Sequence, residues 1–576
     1  MQDYFLFQFS NIMKRNRKRC LDFVMVVLLD CVLVWPLVTE NQSDQIEESI
    51  RQRIESAGVP PDIVIGNEKV LASIKLPQFY EARTFQPAWC SLMGPNKRVP
   101  ELVDAIRSAD SEGLRPEDYH LSRIELILTE IHRNKILKRN PNLNRFVDLE
   151  LLCTDAFLVY GAHLLAGKVN PETIDSEWFA NRREGDLATI LEEALIKKEI
   201  KKSLERLLPD HFGYSRMRKT LARFRAISKH GGWNAMPEGE KLQKGDTGES
   251  VLALRYRLNG SGLDNMLIDT TSTLFDESLE SAVIFFQRTH GLDADGVVGS
   301  ETILELNVPV EDRIKQLVVN MERWRWLPQK LGERYILVNI ANFELDVVES
   351  HQVLMTMKVI IGKPYRKTPV FSDVMTYLVL NPYWTVPKTI ATQDILPEVQ
   401  KDVHYLTEKK IRVFQGWGAN TQEVDPDSVE WSAISAKQLP YWFRQDPGSQ
   451  SALGRIKFMF PNRFDVYLHD TPSQELFTRK ERAFSSGCIR IEKPLDLAEY
   501  LLRDDPKWTR KQILNFFNSG IEETVRLPEP TPIHILYWTA WIDEDDTVNF
   551  RKDVYGRDKS VLEALTQSPS SSESTQ

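Results

Sequence analysis

The chain has 576 residues, 42% of them hydrophobic and 27% charged, which is typical of folded globular proteins and excludes a largely disordered or collagen-like chain. At about 150 residues per domain, this length predicts three or four domains. The net charge of −9 argues against a nucleic-acid partner, because such proteins bind phosphates with a basic surface. The mean hydropathy of −0.34 excludes a protein with many membrane spans.

An export or anchoring signal is predicted for residues 1–40. Five positive charges in Lys14–Arg19 precede an apolar run, Leu21–Val38, and the positive-inside rule places everything after this run outside the cytoplasm. Acidic residues interrupt the run and no clear cleavage site follows it. The sequence therefore leaves open a cleaved signal peptide and an uncleaved inner-membrane anchor, and it leaves open Met1 or Met13 as the true start.

Residues 41–240 are predicted to be mostly helical and to form a structural scaffold. Isoleucines recur at a spacing of four between Ile46 and Ile54, and a long apolar segment runs from Phe146 to Leu165. A further helix over residues 309–330 is expected to pack back against this scaffold. The segment between them, residues 241–308, would then be an insertion.

The inserted segment is predicted to be a compact module of three short helices. Apolar side chains line one face of each of the first two helices, at Val251, Leu254, Leu258, Ala282, Val283 and Phe286. Together with the turns at Gly245–Gly248 and Asp293–Gly296, this pattern resembles the peptidoglycan-binding type 1 domain. The resemblance implies a module that either binds the cell wall or serves as a spacer.

Residues 331–558 are predicted to form a mainly β domain. Alternating apolar residues predict a hairpin from Tyr335 to Val347 and later strands at Ile456–Phe460 and Phe464–Leu468. Between about residues 383 and 447 the strands give way to a loop-rich insertion with several tryptophans, which we expect to cap a cleft.

The end of the chain is predicted to contain one more hairpin and a tail. The hairpin consists of Ile533–Trp541 and Thr547–Phe550, which meet at an acidic turn. The serine-rich composition near the end predicts that residues 559–576 form a disordered tail.

The number and positions of the cysteines direct attention to Cys488. Five cysteines are too few and too scattered for a disulfide framework or a CxxC metal site, and no HxH or HExxH pair of a zinc peptidase is present. The cysteines are Cys20, Cys31, Cys90, Cys153 and Cys488. We expect Cys90 and Cys153 to be buried, whereas Cys488 follows a glycine and comes nineteen residues after His469.

A catalytic cysteine needs a neighbour that removes its proton, and histidine is the usual partner. His469 ends a predicted strand, and Gly487 permits an unusual backbone angle next to Cys488. Backbone N–H groups near Gly487 and Cys488 are candidates for an oxyanion hole. Arg490 would share a strand face with Cys488. Spacing alone leaves open that Cys488 is merely a buried hydrophobic residue.

The motif around Cys488 resembles the catalytic motif of the L,D-transpeptidases of the YkuD type. Ser485, Gly487, Cys488 and Arg490 fall on its fixed positions, whereas Ser486 stands where most members have histidine. That variant is similar to the large YcbB-like branch of Gram-negative bacteria. Segments elsewhere resemble the scaffold and the last strand of that branch, at Phe79-Tyr80, Pro87-Ala88-Trp89, Glu112–Tyr119, Gly167–Pro171 and Tyr537–Trp541.

The resemblance implies a multidomain α+β protein of the periplasm that acts on peptidoglycan without metal or cofactor. It implies that Cys488 is the nucleophile of a thioester acyl-enzyme, that His469 is the general acid and base, and that the product is a 3→3 cross-link. The residues implied to form the oxyanion hole or bind substrate are Gly487, Ser486, Ser485, Arg490, Tyr467 and Trp384. A backbone carbonyl is expected to orient His469, because the Asp470 side chain would point the other way on a strand.

Other functions remain open at this point. The same Cys–His pair would also serve an L,D-carboxypeptidase that transfers the acyl group to water. A wall-binding protein without catalysis is a second alternative. A papain-type hydrolase fits less well, because its cysteine precedes its histidine. The acceptor, whether a stem amine, a free D-amino acid, a lipoprotein or water, is not specified by the sequence.

Overall fold

The computed structural model describes residues 44–59, 61–91, 93–179, 182–237, 239, 241–260 and 268–569. The predicted export segment, with Cys20 and Cys31, and the last residues of the predicted tail lie outside these described residues. The chain divides into two compact units. Their described parts are residues 44–168, 184–208 and 567–569 for the first unit, and residues 169–183 and 209–566 for the second.

The helices are α1 (44–55), α2 (Lys75–Ala82), α3 (Arg98–Arg107), α4 (Leu121–Ile136), α5 (Leu143–Ala166), α6 (Pro171–Ile174), α7 (Leu187–Lys197), α8 (Ile200–Glu205), α9 (Phe212–Lys229), α10 (Glu249–Asn259), α11 (Glu277–Thr289), α12 (Ser300–Leu306), α13 (Val310–Arg325), α14 (Lys388–Ile390), α15 (Leu396–Lys401), α16 (His404–Glu408), α17 (Pro494–Leu501), α18 (Arg510–Phe517) and α19 (Arg557–Thr566). A π-helical turn, Ala391–Ile395, joins α14 to α15.

The strands are β1 (Val64–Ile65), β2 (Glu68–Lys69), β3 (Cys90–Ser91), β4 (Gly94–Pro95), β5 (Arg334–Asn339), β6 (Glu344–Glu349), β7 (Gln352–Gly362), β8 (Phe371–Leu380), β9 (Trp384–Thr385), β10 (Ile411–Gln415), β11 (Gln422–Val424), β12 (Tyr441–Gln445), β13 (Ile456–Met459), β14 (Leu468–His469), β15 (Ala483–Ser485), β16 (Ile489–Ile491), β17 (Glu523–Leu536), β18 (Ala540–Ile542) and β19 (Val548–Phe550).

The first unit is helical and is built around α5, which is buried along nearly its whole length. Among the described residues, α5 is the one helix long and apolar enough to cross a membrane, and 83% of its most apolar stretch is buried. Cys153 on α5 is buried, as is Cys90, so the expectation for these two cysteines is confirmed.

A buried carboxylate explains one of the sequence motifs of this unit. Glu150 on α5 accepts hydrogen bonds from the backbone N–H groups of Ala88, Trp89 and Cys90, at 2.9, 2.7 and 2.5 Å. It also accepts a bond from the Tyr80 hydroxyl at 3.0 Å. Because these donors are buried, Glu150 supplies acceptors that the segment would otherwise lack.

The predicted scaffold of residues 41–240 does not stay together as one compact unit. Residues 169–183 and 209–240 fall in the second unit instead. The reason is packing, because α9 lies against α13, the helix predicted to continue the scaffold. Residues 241–308 lie in the chain between α9 and α13, and these two helices contact each other.

The inserted module has the predicted three helices, α10 to α12, around an apolar core of its own. Gln287 on α11 is buried and organises the turn that follows. Its side chain donates to the Asp295 carboxylate at 3.0 Å and to the Val297 carbonyl at 2.9 Å, and it accepts from the Gly296 N–H at 2.9 Å. Gly296 has a φ of +76°, which explains the glycine of this turn.

The large β domain is a nine-stranded sheet in the order β15-β7-β16-β14-β13-β8-β17-β5-β6. An additional pairing of β6 with β7 closes it on itself. The predicted β5–β6 hairpin is confirmed. Most pairs are antiparallel, but three are parallel, and one of these, β14 with β16, pairs Leu468 with Ile489 and His469 with Arg490.

The insertion is folded rather than loop-rich, which corrects the prediction. Its short strands form a second sheet in the order β11-β10-β12-β9, and its helices α14 to α16 cover one face of it. The core between them contains Leu396, Val413 and Phe443. Strands of two to five residues give too little alternation to be recognised from sequence.

The strand predicted for Phe464–Leu468 is also wrong in extent. Only Leu468 of that run, together with His469, is a strand. Asn462 instead bends the segment, since its side chain donates to the Phe460 and Val466 carbonyls at 2.6 and 2.7 Å.

The last predicted hairpin is divided between two sheets. Residues up to Leu536 belong to β17 of the large sheet, whereas β18 and β19 form a separate two-stranded pair. The break lies at Trp538 and Thr539, whose N–H groups donate to the side chains of Asn339 and Asn320, each at 3.0 Å. These side chains replace a strand partner.

The predicted tail of residues 559–576 begins with ordered structure. Residues up to Thr566 belong to α19, on which Val561 and Leu565 are buried at a spacing of four. This apolar pair packs the helix onto the second unit and outweighs the polar composition around it.

We predict that Glu150→Gln destabilises the chain by about 2–3 kcal/mol, because an amide nitrogen would face buried N–H donors. Urea unfolding followed by circular dichroism would measure this, and Glu48→Gln, at an exposed position of α1, is the control and should change stability by less than about 0.5 kcal/mol. Equal stabilities of the two variants would contradict the role given to Glu150.

Candidate active site

Cys488 stands at the end of a tight turn between β15 and β16. Gly487 has a φ of +119°, a conformation that favours glycine, as the sequence predicted. Ser485 clamps the turn, since its hydroxyl donates to the Cys488 carbonyl at 2.5 Å and accepts from the Gly487 N–H at 3.2 Å. A residue of the motif itself therefore restrains the turn.

Two residues from outside the motif also hold this turn, and the sequence analysis missed both. The Thr368 hydroxyl donates to the Gly487 carbonyl at 2.8 Å and accepts from the Gly362 N–H at 2.9 Å. The Tyr555 hydroxyl donates to the Gly362 carbonyl at 2.6 Å and accepts from the Thr368 N–H at 3.2 Å. Neither residue belongs to a recognisable motif, so spacing gave no signal for them.

Arg366 is a third residue that the sequence analysis missed. Its guanidinium donates to the Ser486 hydroxyl at 2.9 Å and to the Asp394 carboxylate at 2.5 Å. It also donates to Gln393 at 2.6 Å. Since Gln393 and Asp394 lie on the π-helical turn of the insertion, Arg366 joins the insertion to the cysteine turn.

His469 is oriented by a backbone carbonyl, which confirms the prediction. Its Nδ1 lies 2.6 Å from the Asp470 carbonyl, which can only accept, so Nδ1 carries the proton and Nε2 is an acceptor without a hydrogen-bond partner among the described residues. The Asp470 carboxylate instead accepts from the N–H groups of Arg455 and Thr471, at 2.8 and 2.7 Å.

All eight predicted site residues lie in one cleft of about 570 Å³. They are Cys488, His469, Gly487, Ser486, Ser485, Arg490, Tyr467 and Trp384. The parallel pairing of β14 with β16 places His469 beside Arg490, two residues beyond Cys488. Trp384 comes from the insertion, so the insertion contributes to the wall of the cleft.

The predicted oxyanion hole has fewer available N–H donors than expected. The Gly487 N–H is already bonded to Ser485, so it is not available to a substrate. The Cys488 N–H has no acceptor among the described residues. It is therefore the better of the two predicted donors.

The electrostatics of the cleft keep both reactive groups neutral. Burial, with the positive charges of Arg490 and Lys457, lowers the pKa of His469 to about 3, despite the bond to the Asp470 carbonyl. Burial raises the pKa of the Cys488 thiol. Hydrogen bonds from the N–H and the hydroxyl of Tyr467, and the positive charges of Lys457 and Arg490, lower this pKa but only partly offset the effect of burial. The resting pair is therefore a thiol and a neutral imidazole rather than an ion pair.

Lys457 was not predicted as a site residue. It is paired with His469 across β13 and β14, and its ammonium lies 3.9 Å from the centre of the Tyr467 ring. Burial lowers the pKa of Lys457. The sequence predicts the strand that contains Lys457. It does not show that this strand pairs with the one that contains His469.

Three family models match the chain. The catalytic domain of the L,D-transpeptidases, YkuD, matches residues 333–513, a scaffold domain matches 75–221, and a peptidoglycan binding domain matches 247–306. Residues 333–513 therefore belong to the YkuD family of L,D-transpeptidase catalytic domains. The chain as a whole therefore combines this catalytic-type domain with regions that match a scaffold domain and a peptidoglycan binding domain.

A curated relative supports this assignment. A protein of Haemophilus influenzae, provisionally named an L,D-transpeptidase, is 35% identical over 247 residues, which are 43% of this chain and 49% of that protein. The chain thus matches about half the length of this relative.

Solved structures include similar proteins at low identity. An L,D-transpeptidase from Xylanimonas cellulosilytica is 16% identical, with 52% of this chain and 99% of that one covered and a TM-score of 0.17. L,D-transpeptidase 3 from Mycobacterium tuberculosis is 12% identical, with 35% and 61% covered and a TM-score of 0.17. The assignment rests on the family models and the curated relative, not on these scores.

We predict that alkylation of Cys488 by iodoacetamide rises about tenfold per pH unit between about pH 6 and 9, because only the thiolate reacts and its pKa is raised. Mass spectrometry of the labelled peptide gives the rate, and Cys488→Ala identifies the peptide. Cys90 and Cys153, both buried, should stay unlabelled in the folded chain. A rate that is already constant at neutral pH would reveal a thiolate–imidazolium pair instead.

Proposed function

We propose that this protein is an L,D-transpeptidase that forms 3→3 cross-links in peptidoglycan through a thioester on Cys488. The observation that carries the proposal is the placement of Cys488 and His469 in one cleft, with the histidine Nε2 left free by the bond from Nδ1 to the Asp470 carbonyl. The family of the catalytic domain and the presence of a peptidoglycan-binding domain support the choice of substrate.

In the first half of the reaction, Cys488 Sγ attacks the carbonyl between the L-centre of diaminopimelate and D-alanine, while His469 Nε2 takes the thiol proton. The negative charge on the carbonyl oxygen is stabilised by the Cys488 N–H. The C–N bond then breaks, and the histidine returns the proton to the amine of D-alanine. A thioester remains on Cys488.

The low pKa of His469, about 3, fits this first step. A buried imidazolium is a strong acid, so once formed it protonates the departing amine readily. The same burial makes the neutral imidazole a weak base. Proton transfer from Cys488 must therefore accompany its attack on the substrate rather than precede it.

In the second half, the side-chain amine of diaminopimelate on a neighbouring stem attacks the thioester. His469 removes a proton from this amine, and Sγ leaves and recovers a proton, which regenerates the thiol. The insertion narrows the cleft with Trp384, which restricts access of water and favours the amine over hydrolysis.

We further propose that the protein works in the periplasm and reaches it through residues 1–40. The basic cluster Lys14–Arg19 before the apolar run Leu21–Val38 supports this. Fractionation of expressing cells, followed by sequencing of the mature N-terminus, tests both points. Recovery of the chain in the cytoplasm would contradict the proposal, and loss of residues 1–40 would identify a cleaved signal.

We predict that the full chain converts disaccharide-tetrapeptide into a 3→3 dimer that has lost one D-alanine, and that Cys488→Ala lowers this rate at least about 1000-fold. Mass spectrometry of the muropeptides measures both. The matched control is Cys90→Ala, which removes a thiol outside the cleft and should retain activity.

The products separate the alternatives. Tripeptide without dimer would identify water as the acceptor and an L,D-carboxypeptidase. No product from the unmodified chain would point to a wall-binding protein without catalysis. Dimer formation by Cys488→Ala would disprove the thioester.

A further inference from the structure

The sheet of the insertion has an outer face that the proposed reaction does not use. One face, with Val413 and Phe443, covers the core of the insertion. Because side chains alternate along a strand, Phe414 on β10 and Trp442 on β12 lie on the opposite face, where they are paired directly across the two strands.

The aromatic rings on this face form a continuous stack. Trp417 lies on Trp442 with 5.1 Å between ring centres and planes 14° apart, and Trp442 lies on Phe414 at 4.5 Å and 18°. The Arg444 guanidinium follows, 4.8 Å from the centre of Phe414 and 4.6 Å from that of Tyr383. We call these five residues the aromatic ladder.

The outer end of the ladder is held in an exposed position by its loop. Trp417 is 71% exposed, although an indole of this size is normally buried. Gly416 and Gly418 on either side have φ values of +76° and +61°. A Cβ atom on Gly416 would lie 2.3 Å from the Asn420 carbonyl oxygen, and the Trp442 indole N–H donates to the Gly416 carbonyl at 2.8 Å. The loop is thus built to present one indole face outward.

The inner end of the ladder is next in sequence to a residue of the cleft, but none of the five ladder residues lines the cleft, and Trp384 packs against the core of the insertion on the other face of the sheet. Tyr383 is followed directly by Trp384, which lines the cleft beside Cys488. Thr385 pairs with Arg444 across β9 and β12, so the ladder crosses the sheet towards the strand that enters the cleft. The buried Nε of Arg444 has no hydrogen-bond partner among the described residues.

We propose that the aromatic ladder binds a glycan strand of peptidoglycan, with a sugar ring stacked on the exposed face of Trp417. This inference rests on the proposed function and adds to it a subsite for sugar. A flat, rigid indole matches the C–H face of a pyranose ring.

The test uses glycan chains stripped of their peptides, added to the full chain. Trp417 is the only exposed tryptophan among the described residues, so it dominates quenching of tryptophan fluorescence by acrylamide. We expect glycan to lower the quenching constant of this exposed fraction about fivefold. Trp417→Phe should remove the exposed fraction, which assigns the signal.

Calorimetry with the same chains gives affinity. Trp417→Ala should weaken glycan binding about tenfold, whereas Trp417→Phe, which keeps a ring, should stay within about threefold of the unmodified chain. The matched control is Phe212→Ala, because Phe212 on α9 is also 71% exposed but lies outside the ladder. It should bind glycan as the unmodified chain does.

Binding that leaves the Trp417 fluorescence unprotected would overturn the proposal and assign the glycan to another site, such as the peptidoglycan-binding module. If raising the protein concentration without glycan also protects Trp417 from acrylamide quenching, the proposal would be overturned. The ladder would then be a surface that contacts another protein molecule. The stripped chains lack the bond that Cys488 would attack. Failure of the transfer reaction therefore does not alter this result, and the two proposals can fail separately.

Discussion

The arrangement of the cleft depends on the hydrogen bond from the Thr368 hydroxyl to the Gly487 carbonyl. It ties the turn that carries Cys488 to the connection between β7 and β8. This contact requires close approach, since a Cβ atom on Gly362 would lie 2.1 Å from the Arg366 carbonyl oxygen. The glycine at the end of β7 thus allows the loop to fold back over the strand and reach the cysteine turn.

The same loop links the chemistry to the rest of the fold. Arg366 connects this loop to the insertion through its hydrogen bond to Asp394. Tyr555 connects the loop to the segment before α19, because its hydroxyl accepts from the Thr368 N–H. Ser486 is bonded to Arg366, so the residue in which this sequence departs from most of the family has its own partner here. The serine at this position is therefore held by its own hydrogen bond to Arg366.

Features set by neighbouring residues were predictable from the sequence, and features set by distant ones were not. Three features follow from a few adjacent residues. They are the positive φ of Gly487, the Asp470 carbonyl that orients His469, and the apolar faces of α10 and α11. Thr368 and Arg366, by contrast, lie more than a hundred residues from the turn they hold. The interruption of the last strand by Asn320 and Asn339 was not predictable either, since a side chain that replaces a strand partner leaves no pattern in the sequence.

The neutral state of Cys488 has a consequence for its survival. Peroxides and small disulfides react with thiolates, so a thiol whose pKa is raised by burial is slow to be oxidised or to form mixed disulfides. In the proposed reaction, His469 activates the sulfur only when a substrate carbonyl occupies the cleft. The burial that makes the cysteine a weak nucleophile at rest also gives it a long chemical lifetime in an oxidising environment.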